Sequence, residues 1–579
     1  MNENLQHKRH SLAHLLAAAV LELYPEAKPT IGPAIDNGFY YDFDFGSNVP
    51  NDKDLIKIEN KMRQLLPTWT KFDCGEKGAE EAKKAFEGNE YKLELIEGLA
   101  DKGERISFWT AGNFSDLCAG GHSENPAEEI APDSFKLVKL AGAYWRGEEK
   151  NKMLTRIYGY AFDTAQELAD YEKYLQEAEL RDHRKIGKEL GLFTFSELVG
   201  GGLPLFTPKG VAMRMAIVDK IKSIQKKFNY QEVWIPHITK PDLYKTSGHW
   251  EKFGDELFKV KGRDSEFVMK PMNCPHHTQI FASEQRSYRD LPVRFVETTT
   301  CYRDEQSGEL LGLSRVRCLT QDDGHIFCCP DQIKQEIKNL CSVIREFYTA
   351  LGLWKEGNYK VYLSTRDSQH KEKFLGDDEL WNNAEDILRQ IAEEEELPFV
   401  IGEGDAAFYG PKLDFKFKDA IGREWQLATI QLDFNMPVRF GLEYTDSDGV
   451  KKNPVMIHRA IAGSLERFMS VIIEHFSGNF PLWLAPEQVA IIPIKDSNQV
   501  SAEKVLEELD SLGVRAKILA DNNSFGKKVR YAKEQKIPYT IIIGDKDDEA
   551  GKVTLESRDN GKIGQLSLDE VITRLKAEL

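Results

Sequence analysis

At 579 residues, with 94 acidic against 77 basic side chains and a net charge of −17, the chain is long enough for roughly three or four domains with their own cores. It is too acidic to grip nucleic acid over its whole surface, although a local basic face is not excluded. Eight cysteines at irregular spacing, Cys328 and Cys329 adjacent, read as reduced thiols and predict a cytoplasmic protein. No apolar run approaches the roughly 20 residues of a membrane span. Lys8 and Arg9 precede the apolar LAHLLAAAVLEL, but His14 interrupts it and no small-residue cleavage site follows, which argues against a signal peptide.

In residues 1–176, HSLAHLLAAAVLELYP sets Leu12, Leu15, Leu16, Ala19, Val20 and Leu23 at helical spacing, with Pro25 as the stop. His10 and His14, four apart, share one helix face. Further on, DLCAGGH supplies Asp116, Cys118 and His122 around Gly120-Gly121, a tight-turn signal. If the two pairs meet in space they make either a metal site or a polar hydrolytic pocket. Either pair alone is as readily a satisfied surface or core histidine. HSLAHLL together with DLCAGGH resembles the editing domain shared by threonyl- and alanyl-tRNA synthetases, which hydrolyses a wrong aminoacyl ester. The resemblance implies a pocket of His10, His14, Cys118 and His122, with Asp116 and with Lys92 of NEYKLEL. In the threonyl branch that pocket acts on seryl-tRNA without a metal, whereas alanyl enzymes hold zinc at the matching positions; the zinc reading stays open.

Residues 177–484 open with a linker. Thr164–Leu192 is charge-rich and helical in pattern, a solvated connecting helix, and LVGGGLPLFTPKG breaks it as a domain's entry loop. VAMRMAIVDKIKSIQKKFNYQEVWIP then reads as a long amphipathic helix leading into a strand that ends at Pro236, an arrangement that resembles motif 1, the dimer interface of class II aminoacyl-tRNA synthetases. His249 in TSGHWEKF is by default an exposed loop histidine; the resemblance places its counterpart near the terminal ribose of tRNA, where it helps transfer. FVMKPMNCPHH brings Cys274, His276 and His277 together, with His276 where the family has glycine.

Thr298–Phe327 reads as two strands joined by a Gly-containing loop. Alternation puts Cys301, Arg303 and Glu305 on one face of the first arm, and Arg317, Leu319, Gln321, Asp323 and His325 on one face of the second. Burying such groups unpaired would cost several kcal/mol each, on the order of 2–7, so this face lines a site. Arg303 followed two residues on by Glu305 matches class II motif 2. The resemblance implies that Arg303 clamps the ATP α-phosphate through its guanidinium fork, that Glu305 accepts from the adenine amino group, and that Arg317 is a further phosphate ligand. VMIHRAIAGSLERFMSVIIEHF resembles motif 3: Ile461, Leu465, Phe468, Ile472 and Phe476 trace a buried stripe, Arg467 is turned away from it as the second clamp, and Gly463 leaves room for the nucleotide.

Across the whole chain these motifs resemble the threonyl-tRNA synthetases. That resemblance, not spacing, implies a zinc site of Cys274, His325 and His458, one ion per subunit, with three protein ligands and one position open for substrate. It implies Asp323 and Gln321 at the amino acid, Tyr409 and Lys412 of AFYGPKLDF and Gln431 of WQLATIQLDF at the amino acid or adenylate, and Mg²⁺ accompanying ATP. Leu319 stands where the family commonly has an aromatic, and Leu427-Ala428 replaces Cys-Gly. Zinc has a physical rationale: a hydrophobic pocket rejects valine, nearly isosteric with threonine, only about a hundredfold. A metal that takes the substrate hydroxyl refuses valine but not serine, which leaves work for a second, hydrolytic site.

In residues 485–579, apolar strands VAIIPI, RAKILA and YTIIIGD alternate with amphipathic helices, a small α/β domain resembling the anticodon-binding domain of this class. Lys527, Lys528 and Arg530 form a basic patch suited to tRNA, or a solvated helix face. TLESRDNG keeps only Arg558 of the family's basic stretch. The expectation is therefore an α+β and α/β multidomain protein: an amino-terminal α+β editing domain, a class II antiparallel catalytic domain and a carboxy-terminal α/β domain. Its expected reaction joins threonine and ATP into an adenylate, passes threonine to tRNA(Thr), and hydrolyses seryl-tRNA. A homodimer is expected, and, because HSLAH stands so near the start, a short form without the family's extra amino-terminal domain. A regulatory RNA-binding paralogue would have lost a clamp or a ligand, and a prolyl enzyme would need neither the zinc ligands nor the HSLAH pocket.

Overall fold

The computed structural model describes residues 3–520 and 523–579. The chain divides into two compact units, Met1–Glu177 and Ala178–Leu579. In the first, the helix Glu3–Leu23 buries Leu12, Leu15, Leu16, Ala19 and Val20 against an antiparallel sheet ordered Lys28–Pro29, Gly38–Asp44, Met153–Ala161 and Phe135–Tyr144. A smaller sheet pairs Asp73–Glu76, Ser107–Ala111 and Phe114–Leu117. The DLCAGGH turn follows its last strand, and Gly120 and Gly121 take φ of 103° and 84°, where a side chain would be strained.

The second unit is built on a sheet ordered Gln231–Glu232, Val293–Tyr302, Cys318–Cys328, Val455–Ala460, Glu424–Asp433, Lys412–Lys418, Tyr359–Thr365 and Phe399–Glu403. The outermost pairing at each end is parallel and the rest antiparallel. Helices Pro208–Gln225, Ile333–Ala350 and Leu465–Phe476 contribute Met213, Ile217, Ile337, Leu340, Ile344, Leu465, Phe468 and Ile472 to the main core. The carboxy-terminal sheet is ordered Ala516–Ile518, Val489–Pro493, Tyr539–Ile543, Val553–Ser557 and Gly561–Leu566, with the first three parallel.

Three sequence expectations change at the level of elements. The connecting helix is two, Ala165–Leu180 and His183–Glu189, because Asp182 caps the second through its side chain. That second helix is not merely solvated: His183, Ile186 and Leu190 are buried. The motif 1 strand shrinks to Gln231–Glu232. The first arm of the hairpin stops at Tyr302, so Arg303 and Glu305 stand in the loop rather than on a strand face, and Glu305 N–H turns back to Arg303 O at 2.9 Å. Among the described residues no helix is long and apolar enough to cross a membrane, and all eight cysteines are free.

Candidate active site

Cross-strand register explains why residues far apart in sequence meet. Opposed residues on neighbouring antiparallel strands share a face, and one row runs across five strands: Phe295 opposite His325, His325 opposite His458, His458 opposite Gln431, and Gln431 opposite Lys412. Asp323 lies two residues before His325 and so on the same face. The helix Cys274–Ala282 brings Cys274 to this row. Ligand atoms of Cys274, His325 and His458 lie within 4.8 Å of one another, all three residues buried.

The donors are oriented as a metal site needs. His458 Nε2 bonds Asp433 Oδ2 at 2.9 Å and His325 Nδ1 bonds His277 Nδ1 at 2.7 Å, which leaves one ring nitrogen of each imidazole for an ion; outer partners of this kind fix ligating histidines. His277 in turn faces Glu297 at 3.8 Å. A thiol and two imidazoles held this way suit Zn²⁺ with one position left for substrate. Burial pushes the Cys274 thiol well up and the His325 imidazole well down, so His325 is held as the neutral ligand and a bound cation would offset the cost of the thiolate. Tyr409 stacks on His458 at 4.7 Å and donates to Gln431. Asp323 accepts from Asn273 Nδ2 at 3.0 Å, and burial raises its carboxyl.

Beside this triad opens a cavity of 380 Å³ lined by Arg303, Glu305, Arg315, Leu319, Gln321, Gln431 and Arg467 among others. Arg303 and Arg467 have no carboxylate partner among the described residues. Arg303 Nη2 meets Met272 Sδ at 3.1 Å and its guanidinium lies 5.1 Å from the Phe253 ring centre, while its Nε is buried without a partner. Arg467 Nε donates to Ser314 O at 3.1 Å, and enclosure, then the nearby Arg303 and Arg315, lowers its pKa. Unpaired guanidiniums converging on one cavity make an anion site.

Several expected residues lie elsewhere than the sequence reading put them. Arg317 is outside the cavity lining; it donates to Glu305 O at 3.0 Å and bonds the Gly202 carbonyl through its backbone, whereas Arg315 reaches the wall, paired with Glu305 at 2.7 Å. Lys412 pairs with Asp414 at 2.5 Å, and Asp414 holds Gln426 and Thr429 of the wall. His249 is not an exposed loop histidine: it is 2% exposed, with Nε2 3.6 Å from Cys274 Sγ and Nδ1 2.8 Å from Ser247 Oγ, and burial lowers it to about 3. His276 is buried without hydrogen-bond partners and is no part of the triad. Sequence reading grouped His277 with Cys274 without giving it a role, and missed Asp433 and Arg315. Asp433 had a signal, since it lies two residues from Gln431 on the same strand face.

In the first unit, ligand atoms of His10, His14, Cys118 and His122 lie within 4.8 Å of one another. Cys118 Sγ is 3.5 Å from His10 Nε2 and 3.3 Å from His122 Nε2, and Phe72 stacks on His122 at 4.0 Å. Burial lowers His122 to about 2, holds His14 well down, and raises Cys118 to about 11; the cluster is neutral. Below it Lys92 pairs with Asp116 at 2.6 Å, and Tyr41 bonds both. In the carboxy-terminal domain Lys527, Lys528 and Arg530 lie on the helix Phe525–Glu534, with Arg530 paired to Glu534 at 2.6 Å. Arg558 instead holds the backbone carbonyls of Phe480 and Lys536, both at 3.0 Å.

Residues 258–476 match the family model of the tRNA synthetase class II core domain (G, H, P, S and T), and residues 488–578 that of the anticodon binding domain. The chain is 46% identical to a threonine–tRNA ligase of Gloeobacter violaceus, covering 100% of this chain and 93% of that protein. It is 45% identical to that of Thermosynechococcus vestitus, covering 100% and 96%. A structure titled as the RNA binding domain of threonyl-tRNA synthetase from Cryptosporidium parvum superposes with a TM-score of 0.65 at 36% identity, covering 69% of this chain and 98% of that one. A putative threonyl-tRNA synthetase of Aeropyrum pernix gives 0.61 at 29%, covering 69% and 96%. The expectation of a short form is thereby corrected: matches spanning 93% and 96% of these relatives include the region ahead of the catalytic core, which is shared with them and not missing. Motif positions within one chain carry no measure of its relatives' length. Identity at this level over the full chain, a class II core and an anticodon-binding domain together place the chain among the threonine–tRNA ligases.

Proposed function

We propose that the cavity and the buried triad work as one active site, ATP in the first and threonine at the second. The observation that carries this is the shared row: Gln431 lines the cavity and stands directly opposite His458 of the triad. Arg303 clamps the α-phosphate and Arg467 is the second phosphate clamp, stabilising the charge that builds as the threonine carboxylate attacks phosphorus and pyrophosphate leaves. Mg²⁺ accompanies the nucleotide. Glu305 accepts from the adenine amino group, and Arg317 holds the loop that carries it. Asp323, Gln321 and Tyr409 orient the amino acid, with Lys412 bracing the wall through Asp414.

Cys274, His325 and His458 would hold one Zn²⁺ per subunit, which would supply a Lewis acid for the substrate amino group and for the hydroxyl that alone distinguishes threonine from valine. His249, beside Cys274, assists transfer to the tRNA terminal ribose. The amino-terminal cluster of His10, His14, Cys118 and His122, backed by Lys92 and Asp116, hydrolyses seryl-tRNA. Lys527, Lys528 and Arg530 contact tRNA(Thr). Two copies pair across the motif 1 face, where Trp234 is 76% exposed. The test is amino-acid-dependent ATP–pyrophosphate exchange over threonine, serine, valine and proline. Threonine is expected to drive exchange, serine weakly and valine and proline not at all; exchange driven equally by valine would refute the metal-based selection.

A further inference from the structure

The motif 2 loop, 303–317, meets the linker at His183, a residue that lies outside the cavity and is 2% exposed. We propose that His183 is a positioning residue for the ATP site, fixing this loop to the helix that carries Arg467; the inference rests on reading the 380 Å³ cavity as that site.

The His183 ring spans two elements. Its Nδ1 lies 2.6 Å from Glu474 Oε1, and its Nε2 accepts the backbone N–H of Leu313 at 3.0 Å. An imidazole that accepts at one nitrogen carries its proton on the other, so Nδ1–H donates to the carboxylate. Glu474 stands in the last turn of the helix Leu465–Phe476, whose first turn carries Arg467. The carboxylate is itself immobilised: Oε1 also takes the His183 backbone N–H at 3.1 Å, and Oε2 takes Arg423, which pairs with Asp419 at 2.6 Å.

On the loop side, Leu313 is fully buried in the main core. The next residue, Ser314, accepts from Arg467 Nε through its carbonyl at 3.1 Å and bonds Ser470 through its hydroxyl at 2.9 Å. Arg315 follows in the cavity wall. The rigid ring, with the two Ser314 bonds, thus sets the spacing between the segment bearing Arg315 and the helix bearing Arg467. The approach is close: Gly312 has φ +49°, and a Cβ there would sit 2.2 Å from His183 Nε2. Only a side chain with a donor at one end and an acceptor at the other satisfies both partners.

Asparagine and glutamine separate the two ends. An asparagine amide reaches the Nδ1 position and keeps the donor to Glu474; a glutamine oxygen reaches the Nε2 position and keeps the acceptor for Leu313. In ATP–pyrophosphate exchange, His183→Asn is expected to raise KM for ATP about tenfold, the scale of one lost buried hydrogen bond, with KM for threonine within about twofold of the parent. His183→Gln is expected to restore KM for ATP to within about threefold. Gly312→Ala, whose methyl group would meet the ring at His183 Nε2, is expected to behave like His183→Asn and serves if a His183 variant fails to fold. An unchanged KM for ATP in His183→Asn or Gly312→Ala overturns the proposal, as does a parallel rise for ATP and threonine in His183→Asn and His183→Gln alike. Arg467→Ala is the separate control: if it leaves KM for ATP unchanged, the assignment of the cavity fails, whatever His183 does.

Discussion

Lys92 and Asp116, each 2% exposed and 2.6 Å apart, are charges that the amino-terminal domain keeps only as a pair. Removing one partner of a buried pair leaves the other uncompensated and costs about 3–5 kcal/mol, whereas removing both is far cheaper. Lys92→Met should therefore destabilise the domain by that amount in chemical denaturation, and Lys92→Met/Asp116→Leu should recover most of it. Acid sensitivity belongs to the neighbouring imidazoles. His122 is held to about 2 and His14 well below the ordinary 6.5, so below pH 6.5 the unfolded chain takes protons that the folded one refuses. Stability is full above that pH and falls on acidification, by roughly 1.4 kcal/mol per unit for each such histidine. Denaturation midpoints of the domain at pH 7.5, 6 and 5 should decline accordingly, and His122→Asn should flatten the slope; a pH-independent midpoint would refute the neutral cluster. Both residue pairs of the cluster, His10 with His14 and Cys118 with His122, were legible as chemistry-bearing, and the HSLAHLL and DLCAGGH motifs indicated that they meet. What periodicity could not supply was burial, which decides the protonation states.

Elements carry the geometry of the active site, and here alternation along strands was the most informative sequence signal. It grouped Leu319, Gln321, Asp323 and His325 on one face, and that face is the site's floor. The row from His325 through His458 and Gln431 to Lys412 depends on register between strands that are distant in sequence, which pattern alone does not contain. Loop residues were the least legible: Arg315 rather than Arg317 lines the cavity, because the second strand begins only at Cys318 and both arginines stand in the loop before it. The linker shows the same limit, since its charge suggested solvent while His183 ties it to Glu474 and Leu313. Ser464 caps the motif 3 helix by accepting the Arg467 N–H at 3.3 Å. Ser464→Ala should cost about 1 kcal/mol and raise KM for ATP, measured by denaturation and by exchange kinetics on the same protein.

Over the whole molecule, a net charge of −17 confines RNA binding to local basic faces. Replacing Lys527, Lys528 and Arg530 with alanine should raise KM for tRNA severalfold and weaken its salt dependence, while ATP–pyrophosphate exchange stays as it was; a changed exchange rate would mean that the patch serves the fold. The two proposed sites fit one logic: a metal that selected for a hydroxyl could not refuse serine, and the separate amino-terminal pocket would hydrolyse the resulting error. That logic stands on the triad. The most direct measurement is zinc content together with threonine-dependent ATP–pyrophosphate exchange for the parent and for Cys274→Ala. One zinc per subunit in the parent, with loss of both metal and exchange in Cys274→Ala, is the predicted result; exchange undiminished in the variant, or an active parent without zinc, would contradict it.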